Sequence, residues 1–283
     1  MPADRVRDWV GLVDECYPEA DAAGWDAVGL HVGGPDDAVT AVLVCLDVTA
    51  STLEEAANAR AELLLAHHPL LFRPLERLTP ATAPGRLALE AARRGIAVLA
   101  AHTNFDAALP GTTEPVVALL DLVGVRPLER LAGDETKGLG QKGLGQKGLG
   151  RIGRLREPQP LGAIARRLAD GLPAPFLRCA GDLDAPVATV AACGGAGDGL
   201  IGAALQAGAD VYVTGDLRHH VALDALTMGL AVVDAGHYAT EVAALPALHA
   251  TLAEAATRRG LRARLLLSKV STEPWSDWSR WER

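Results

Sequence analysis

The sequence predicts an α/β fold of two similar α/β lobes, and three observations support this. Apolar stretches with strand-like and helix-like periods alternate along the chain, as is typical of α/β proteins. The alternation stops at a glycine-rich stretch and then starts again. With 283 residues, 49% of them hydrophobic and 22% charged, the chain can bury a large core. We expect an N-terminal lobe at residues 1–130, a flexible connection at 131–150 and a C-terminal lobe at 151–283.

The first lobe is predicted to run β-α-β-α-β-α. Ser51 and Glu54 have the spacing of a capping box, which satisfies free backbone N–H groups at a helix start. The predicted elements are a strand at 38–49, a helix from Ser51, a strand at 62–68, a helix at 85–95, a strand running into a loop at 96–106 and a helix at 112–124.

The connection contains the repetitive segment KGLGQKGLGQKGLG at 137–150. Such a glycine-rich segment cannot bury a core, and ordering its backbone is entropically unfavourable. Its three lysines could bind phosphate, but we favour a surface loop lengthened by local duplication.

The second lobe is predicted to resume the alternation. Its elements are a helix at 160–172, a strand at 186–195, a turn and helix at 196–208, a strand at 209–216, a helix at 219–229, a strand at 230–237, a long helix at 239–260 and a last strand at 261–270.

Composition excludes several classes of function. A formal net charge of −8 argues against nucleic-acid binding, which needs a basic surface. The first ten residues lack an apolar signal region, and no run of about 18 apolar residues predicts a membrane span. The four cysteines, Cys16, Cys45, Cys179 and Cys193, are far apart without a CxxC pair, so we expect reduced, buried thiols in a cytoplasmic protein.

Histidines and carboxylates cluster where predicted strands end. His67 and His68 close one strand, and His102 with Asp106 lies in HTNFD after the next. In the second lobe, the i, i+4 pair of His237 and Glu241 enters a helix on one face. In open α/β sheets, ligands bind at the edge formed by the carboxyl ends of the strands, which is where these residues are predicted to lie.

Two adjacent histidines pose a geometric problem, because neighbouring side chains on a strand point to opposite faces. Pro69 favours an extended His68 and ends the strand's hydrogen bonding. Two metal ions resolve the conflict, since His67 and His68 can then serve different ions. Imidazole ligands suit transition metals such as zinc, iron or manganese, and a carboxylate can bridge ions about 3.5–4 Å apart.

Other polar groups are weaker candidates. His219 and His220 fall inside a predicted helix and we expect no metal there, whereas Asp216 at a strand end is a candidate base or substrate-holding residue. His31 and His249 are expected to be structural or surface residues. The glycine-rich CGGAGDG at 193–199 resembles a phosphate-binding turn but lacks the P-loop lysine. Without a GxSxG motif or a Cys–His pairing, covalent catalysis is not indicated.

Four motifs, AHHPLLF, AHTNFDAA, VYVTGDLRHH and DAGHYATE, resemble in content and order those of the Nif-three-like (NGG-interacting-factor-three-like) family. Members of that family carry the name GTP cyclohydrolase I type 2 homologue. The resemblance covers about residues 7–270. It implies two similar α/β lobes around a dinuclear metal site and a toroidal homo-hexamer. The KGLGQ repeat departs from the family pattern, and the domain that longer members carry between the lobes has no room here.

The resemblance also implies roles for individual residues. His102 takes a position that faces substrate or supports the ligands. The candidate catalytic residues are therefore His102 and Glu241, together with Asp216, which is a candidate from its place at a strand end. The implied ligands of the two divalent ions are His67, His68, Asp106, His237 and Glu241.

Three functions remain open from the sequence. The first is a metal-dependent hydrolase of a small anionic or nucleotide-like substrate, with GTP ring opening suggested by the family. The second is a metal-binding assembly protein that acts as a metallochaperone or regulatory partner. The third is a nucleotide-binding module built on CGGAGDG, for which metal removal would leave nucleotide affinity unchanged.

Overall fold

The chain packs as two units. The computed structural model describes residues 3–131, 147–174 and 176–277. The first unit consists of Met1–Phe105 and Leu245–Thr272, and the second of Asp106–Ala244 and Glu273–Arg283. Each unit is mixed α/β, which confirms the α/β part of the predicted fold class.

Strands and helices alternate along most of the described chain. The strands are β1 Asp4–Arg5, β2 Gly29–Val32, β3 Ala38–Val39, β4 Ala41–Cys45, β5 Leu63–Ala66, β6 Ala97–Ala100, β7 Val123–Arg130, β8 Gly148–Pro160, β9 Arg178–Ala180, β10 Pro186–Ala196, β11 Val211–Gly215, β12 Ala231–Asp234 and β13 Arg264–Leu267. The helices are α1 Val6–Cys16, α2 Ala50–Ala59, α3 Ala83–Arg93, α4 Thr103–Asp106, α5 Glu114–Leu119, α6 Leu161–Gly171, α7 Ile201–Gln206, α8 His219–Thr227, α9 His237–Val242 and α10 Leu245–Arg259.

The sheet of the first unit has the strand order β13-β4-β5-β6-β2. Its first four strands are parallel, and β2 runs antiparallel to β6. Every residue of β4, β5 and β6 is buried, as expected for parallel strands covered on both faces. One apolar cluster joins Leu43, Leu64 and Val98 of these strands to Leu53 of α2 and Ala88 of α3. The packed strands hold their carboxyl ends at one edge.

The sheet of the second unit has the strand order β7-β8-β10-β11-β12-β9. Strands β10, β11 and β12 are parallel, and the outer strands pair antiparallel. Side chains alternate between two cores: Val211 and Val213 pack into one apolar cluster, whereas Tyr212 packs into another. This sheet is therefore covered on both faces, and its three parallel strands also end at one edge.

The unit boundaries differ from the predicted division at residues 130 and 150. The first sheet includes β13, which lies near the C-terminal end of the chain and pairs with β4 through Leu266 and Leu43. Strand β7, which was predicted to belong to the first lobe, is part of the second sheet. Residues 148–150 of the predicted connection begin β8, where Gly148 is paired with Arg130. The remainder of the KGLGQ segment, at 137–146, lies outside the described residues.

Three local predictions were wrong. The cysteines are not all buried, because Cys179 is exposed and Cys16 and Cys193 are half-buried, which leaves Cys45 as the buried one. The capping box of α2 uses Thr49 and Thr52, whose side chains each accept from the other's backbone N–H at 3.1 and 2.8 Å, rather than Ser51 and Glu54. The strand before it ends at Cys45, so the helix begins earlier. The long helix predicted at 239–260 is two helices, α9 and α10.

Among the described residues, no helix combines the length and the apolar character that crossing a membrane requires.

Glu62 supports the entry of the chain into β4. Its carboxylate accepts hydrogen bonds from the backbone N–H groups of Thr40 and Ala41 at 2.8 and 3.1 Å, and from the Thr40 hydroxyl at 2.9 Å. Burial alone would raise the pKa of Glu62, but these hydrogen bonds outweigh it and lower the pKa.

We expect Glu62→Gln to lower the free energy of unfolding by about 0.5–1 kcal/mol at pH 7, since the carboxylate is partly solvated. Because folding lowers the pKa of Glu62, its contribution is complete above the unfolded value of about 4.3 and is lost as the pH falls through the folded value. Urea titrations of the wild type and of Glu62→Gln at neutral and acidic pH measure the free energy of unfolding of each. A difference in free energy between the two proteins that stays constant down to about pH 3 would contradict the prediction.

Candidate metal centre

The first unit places three histidines beyond the carboxyl edge of its parallel sheet. His67 and His68 follow β5 directly, and His102 follows β6 after one further residue, Ala101. The backbone N–H groups of His67 and His68 still donate to the neighbouring chain, at Cys45 O (3.1 Å) and Leu46 O (2.9 Å). These hydrogen bonds fix the chain exit rigidly.

Each of the three imidazoles is held through its Nδ1 atom. His67 Nδ1 lies 2.9 Å from the carbonyl oxygen of Ala101, and His68 Nδ1 lies 2.7 Å from Asp47 Oδ1. His102 Nδ1 lies 2.8 Å from Asp26 Oδ1. Because these oxygens accept, each Nδ1 carries the proton and each ring offers Nε2 as its lone-pair donor.

The three rings converge. One ligand atom from each of His67, His68 and His102 lies within 4.8 Å of the others. His67 is fully buried, whereas His68 and His102 are partly exposed. Neutral imidazoles oriented through Nδ1 by a carbonyl or carboxylate are the arrangement found at transition-metal sites. The donor set of the first unit therefore fits a divalent transition metal.

Asp26 and Asp47 escaped the sequence analysis. Asp26 lies 76 residues from His102, and no spacing links them. The Asp26 side chain is buried and also accepts from the N–H and hydroxyl groups of Thr103, at 3.0 and 2.5 Å. Burial alone would raise the pKa of Asp26, but the hydrogen bonds from His102 and Thr103 dominate and lower it. An ionised Asp26 thus holds His102.

The second unit repeats this design at the edge of its own sheet. Asp216 follows β11, and His237 and Glu241 lie on α9 after β12. His237 Nδ1 lies 2.7 Å from Asp216 Oδ2, and its Nε2 lies 3.1 Å from Glu241 Oε2. Glu241 is only 3% exposed, so its carboxylate is held beside the imidazole in a poorly solvated place.

Asp106 adds a second carboxylate to this unit. It accepts a hydrogen bond from the Thr112 hydroxyl at 2.6 Å, and one of its oxygens lies within 4.8 Å of one from Glu241. Two carboxylates this close repel each other when both are ionised. A bound cation relieves the repulsion, so the donor set of the second unit also fits a divalent ion.

Asp216 adopts an unusual backbone conformation, with φ at +57°. Aspartate tolerates this left-handed region better than most residues. Its contact with His237 supports a role in orienting that imidazole. The catalytic role expected of Asp216 from the sequence stays a prediction.

The glycine-rich segment at 193–199 makes room for the protein's own side chains. A Cβ on Gly195, whose φ is +67°, would lie 2.0 Å from Glu241 Oε1, and one on Gly197 would lie 2.3 Å from the Tyr212 hydroxyl. The Gly195 N–H already donates to the Thr240 hydroxyl at 2.9 Å. This arrangement does not favour the phosphate-binding turn.

Cys193 adjoins the carboxylates of the second unit. Burial, together with the charges of Asp106 and Glu241, raises the pKa of the Cys193 thiol to about 12. A thiol that stays protonated at neutral pH is a poor nucleophile, in line with the absence of any signal for covalent catalysis in the sequence.

The remaining histidines lie elsewhere. His219 and His220 are exposed in the first turn of α8, and in the described part of the chain neither joins a group of three metal-binding side chains. His31 lies between two backbone groups, Ala27 O at 2.9 Å and Leu71 N at 3.0 Å, and His249 Nε2 lies 3.3 Å from Leu265 O. The last two have structural roles.

We expect Gly195→Ala to weaken Zn²⁺ binding by at least about tenfold, because the new methyl group displaces the Glu241 carboxylate. Gly199→Ala is the matched control, since its added Cβ meets nothing within 4 Å. Calorimetric Zn²⁺ titration, with melting curves for folding, measures both. Equal Zn²⁺ affinity in the two variants would contradict the predicted contact.

Comparison with known proteins identifies the family of the chain. The family model for Duf34/NIF3 (NGG1p interacting factor 3) matches residues 5–274. A Streptomyces coelicolor protein named GTP cyclohydrolase 1 type 2 homolog is 38% identical over 277 residues, covering 96% of this chain and 94% of its own. A Lactococcus lactis protein of the same name is 35% identical, covering 83% and 86%. The solved structure of a Bacillus cereus protein related to NIF3 is 26% identical with a TM-score of 0.88, covering 98% of this chain and 100% of that one. The chain therefore belongs to the DUF34/NIF3 family.

Proposed function

We propose that the chain is a cytoplasmic, dinuclear metal-dependent hydrolase acting on a phosphate- or nucleotide-like substrate. The observation that carries the proposal is the common orientation of four imidazoles. His67, His68, His102 and His237 each have Nδ1 beside an oxygen acceptor, the contact that orients a metal-binding histidine so that Nε2 can serve as the ligand atom. The name GTP cyclohydrolase 1 type 2 homolog, carried by relatives, supports a nucleotide substrate.

The residues of the site have two proposed roles, as metal ligands and as partners that orient the imidazoles. The proposed ligands are His67 and His68 of the first unit and Asp106, His237 and Glu241 of the second. The carboxylate of Glu241 or Asp106 would bridge or orient the ions. Asp26, Asp47 and Asp216 hold imidazoles in place. When bound, two divalent ions supply positive charge that attracts an anionic substrate and acidifies water.

That ligands of both units serve one pair of ions rests on the family motifs. His102 would face substrate or support the ligands, since the sequence motif places it beside the ligand set.

Elemental analysis tests the metal assignment. We expect about two divalent ions per chain in the wild type and a marked loss in the double variant His67→Ala/His68→Ala and in His237→Ala, because each removes imidazole ligands. His219→Ala, which removes an exposed imidazole, is the control and keeps its metal. Unchanged stoichiometry in the ligand variants would refute the assignment.

Turnover separates the hydrolase from the second function. The same samples are assayed with GTP and with simple phosphate esters. Metal-dependent product formation that disappears in the ligand variants supports the hydrolase. Two bound ions without turnover, and metal transfer to an apo-protein instead, would favour the metallochaperone.

The homo-oligomer is the remaining part of the proposal. The toroidal hexamer implied by the family resemblance predicts a mass about six times the 29.4 kDa of the chain. Light scattering coupled to size-exclusion chromatography measures the mass of the oligomer. A mass equal to one chain would contradict the hexamer.

A further inference from the structure

Two large aromatic side chains lie exposed beside His102 in the first unit. Trp25 is 65% exposed and Phe72 is 46% exposed. Their ring centroids are 5.9 Å apart, and those of Trp25 and Phe72 lie 6.4 and 6.2 Å from that of His102. We call Trp25, Phe72 and His102 the aromatic corner.

The segment that fixes His102 also carries the indole ring. Asp26 holds His102 Nδ1 at 2.8 Å and accepts from the backbone N–H of Thr103 at 3.0 Å. Trp25 is the preceding residue, so its backbone is anchored where the imidazole is anchored. The backbone of Trp25 is therefore held close to the imidazole by buried hydrogen bonds, while its exposed side chain can turn to meet a ligand.

His31 ties the second ring into the same frame. Its Nε2 donates to Ala27 O at 2.9 Å, and its Nδ1 accepts from the N–H of Leu71 at 3.0 Å. These bonds connect the segment after Trp25 to the residue before Phe72. The two backbone segments next to the exposed rings are thus joined by His31, which is itself half-buried.

The three rings of the aromatic corner do not stack on one another, so a planar ring of a ligand can stack on them. The interplanar angles within the corner are 69°, 75° and 86°, so the three rings meet edge to face and none of these pairs stacks in parallel. Exposed aromatic surface beside a polar cluster is typical of ligand sites, where apolar walls bind the body of a ligand and a few polar groups orient it.

We propose that Trp25 and Phe72 form the subsite for the planar ring of the substrate, which makes that substrate a nucleoside phosphate and not an aliphatic phosphate ester. This inference rests on the proposed function, in which the anionic group binds at the metal ions that the imidazoles would hold. Base-to-aromatic stacking tolerates any base, because every base has a π-face. The corner therefore selects for a ring without selecting which base.

Calorimetry with three probes tests the subsite in the full, metal-loaded chain. GTP carries both ring and phosphates, inorganic tripolyphosphate carries only phosphates, and guanosine carries only the ring. We expect Trp25→Ala to weaken GTP binding about tenfold and to leave tripolyphosphate binding unchanged. Trp25→Phe should keep most of the GTP affinity, and Phe72→Leu should lose part of it.

Controls exclude indirect effects. Trp275→Ala removes an indole that is 67% exposed in the second unit and should leave GTP binding unchanged. Metal content of Trp25→Ala, measured by elemental analysis, should equal that of the wild type. A lower oligomer mass for Trp25→Ala would identify the corner as a subunit contact and overturn the subsite.

The probes distinguish failure of the subsite from failure of the proposed function. Equal loss of GTP and tripolyphosphate, or no loss of either, in Trp25→Ala would overturn the subsite while the phosphate site stands. If neither phosphate probe binds the wild type, but guanosine binds and Trp25→Ala abolishes this, the subsite stands and the proposed function falls. Binding of none of the three would overturn both.

Discussion

Fixation of the imidazole rings through Nδ1 is the constraint on which the candidate site depends. An unrestrained histidine interconverts between two tautomers and rotates about its side-chain bonds. Here a backbone carbonyl holds His67, and the carboxylates of Asp26, Asp47 and Asp216 hold the other three rings. The arrangement determines which nitrogen offers its lone pair before any ligand arrives, so little conformational entropy remains to be lost on binding.

Parallel strands supply the rigidity that such anchoring needs. In each unit the donors follow strands whose residues are almost all buried, and the backbone ladder continues to the first histidine, where His67 N–H donates to Cys45 O at 3.1 Å. Close-packed interiors resist displacement. Moving His67 would therefore disturb a strand, whereas the side chains on the exposed rim, such as Trp25, can adapt to a ligand.

The sequence predicted the alternation of elements and the strand-end histidines, because both follow from local periodicity and position. It failed where distant residues decide the outcome. Asp26 meets His102 across 76 positions, and β13 joins a sheet whose other strands lie far earlier in the chain. The α2 cap was misplaced because two competing capping patterns lie two residues apart, and only the end of β4 at Cys45 selects Thr49. The sequence indicated that Gly195 is part of a phosphate-binding turn. The structure shows that a glycine is needed there because the Glu241 carboxylate occupies the space of a side chain.

The left-handed backbone at Asp216 carries a further consequence, for how this position can change over evolutionary time. A glycine there would relieve backbone strain of about 1 kcal/mol, yet it would release His237 from its carboxylate partner. Selection for stability and selection for an oriented imidazole thus act in opposite directions on one residue. Asparagine tolerates the same backbone but presents an amide whose charge is zero. A lineage without the proposed metal chemistry would be free to take the more stable glycine at position 216 and still keep the fold.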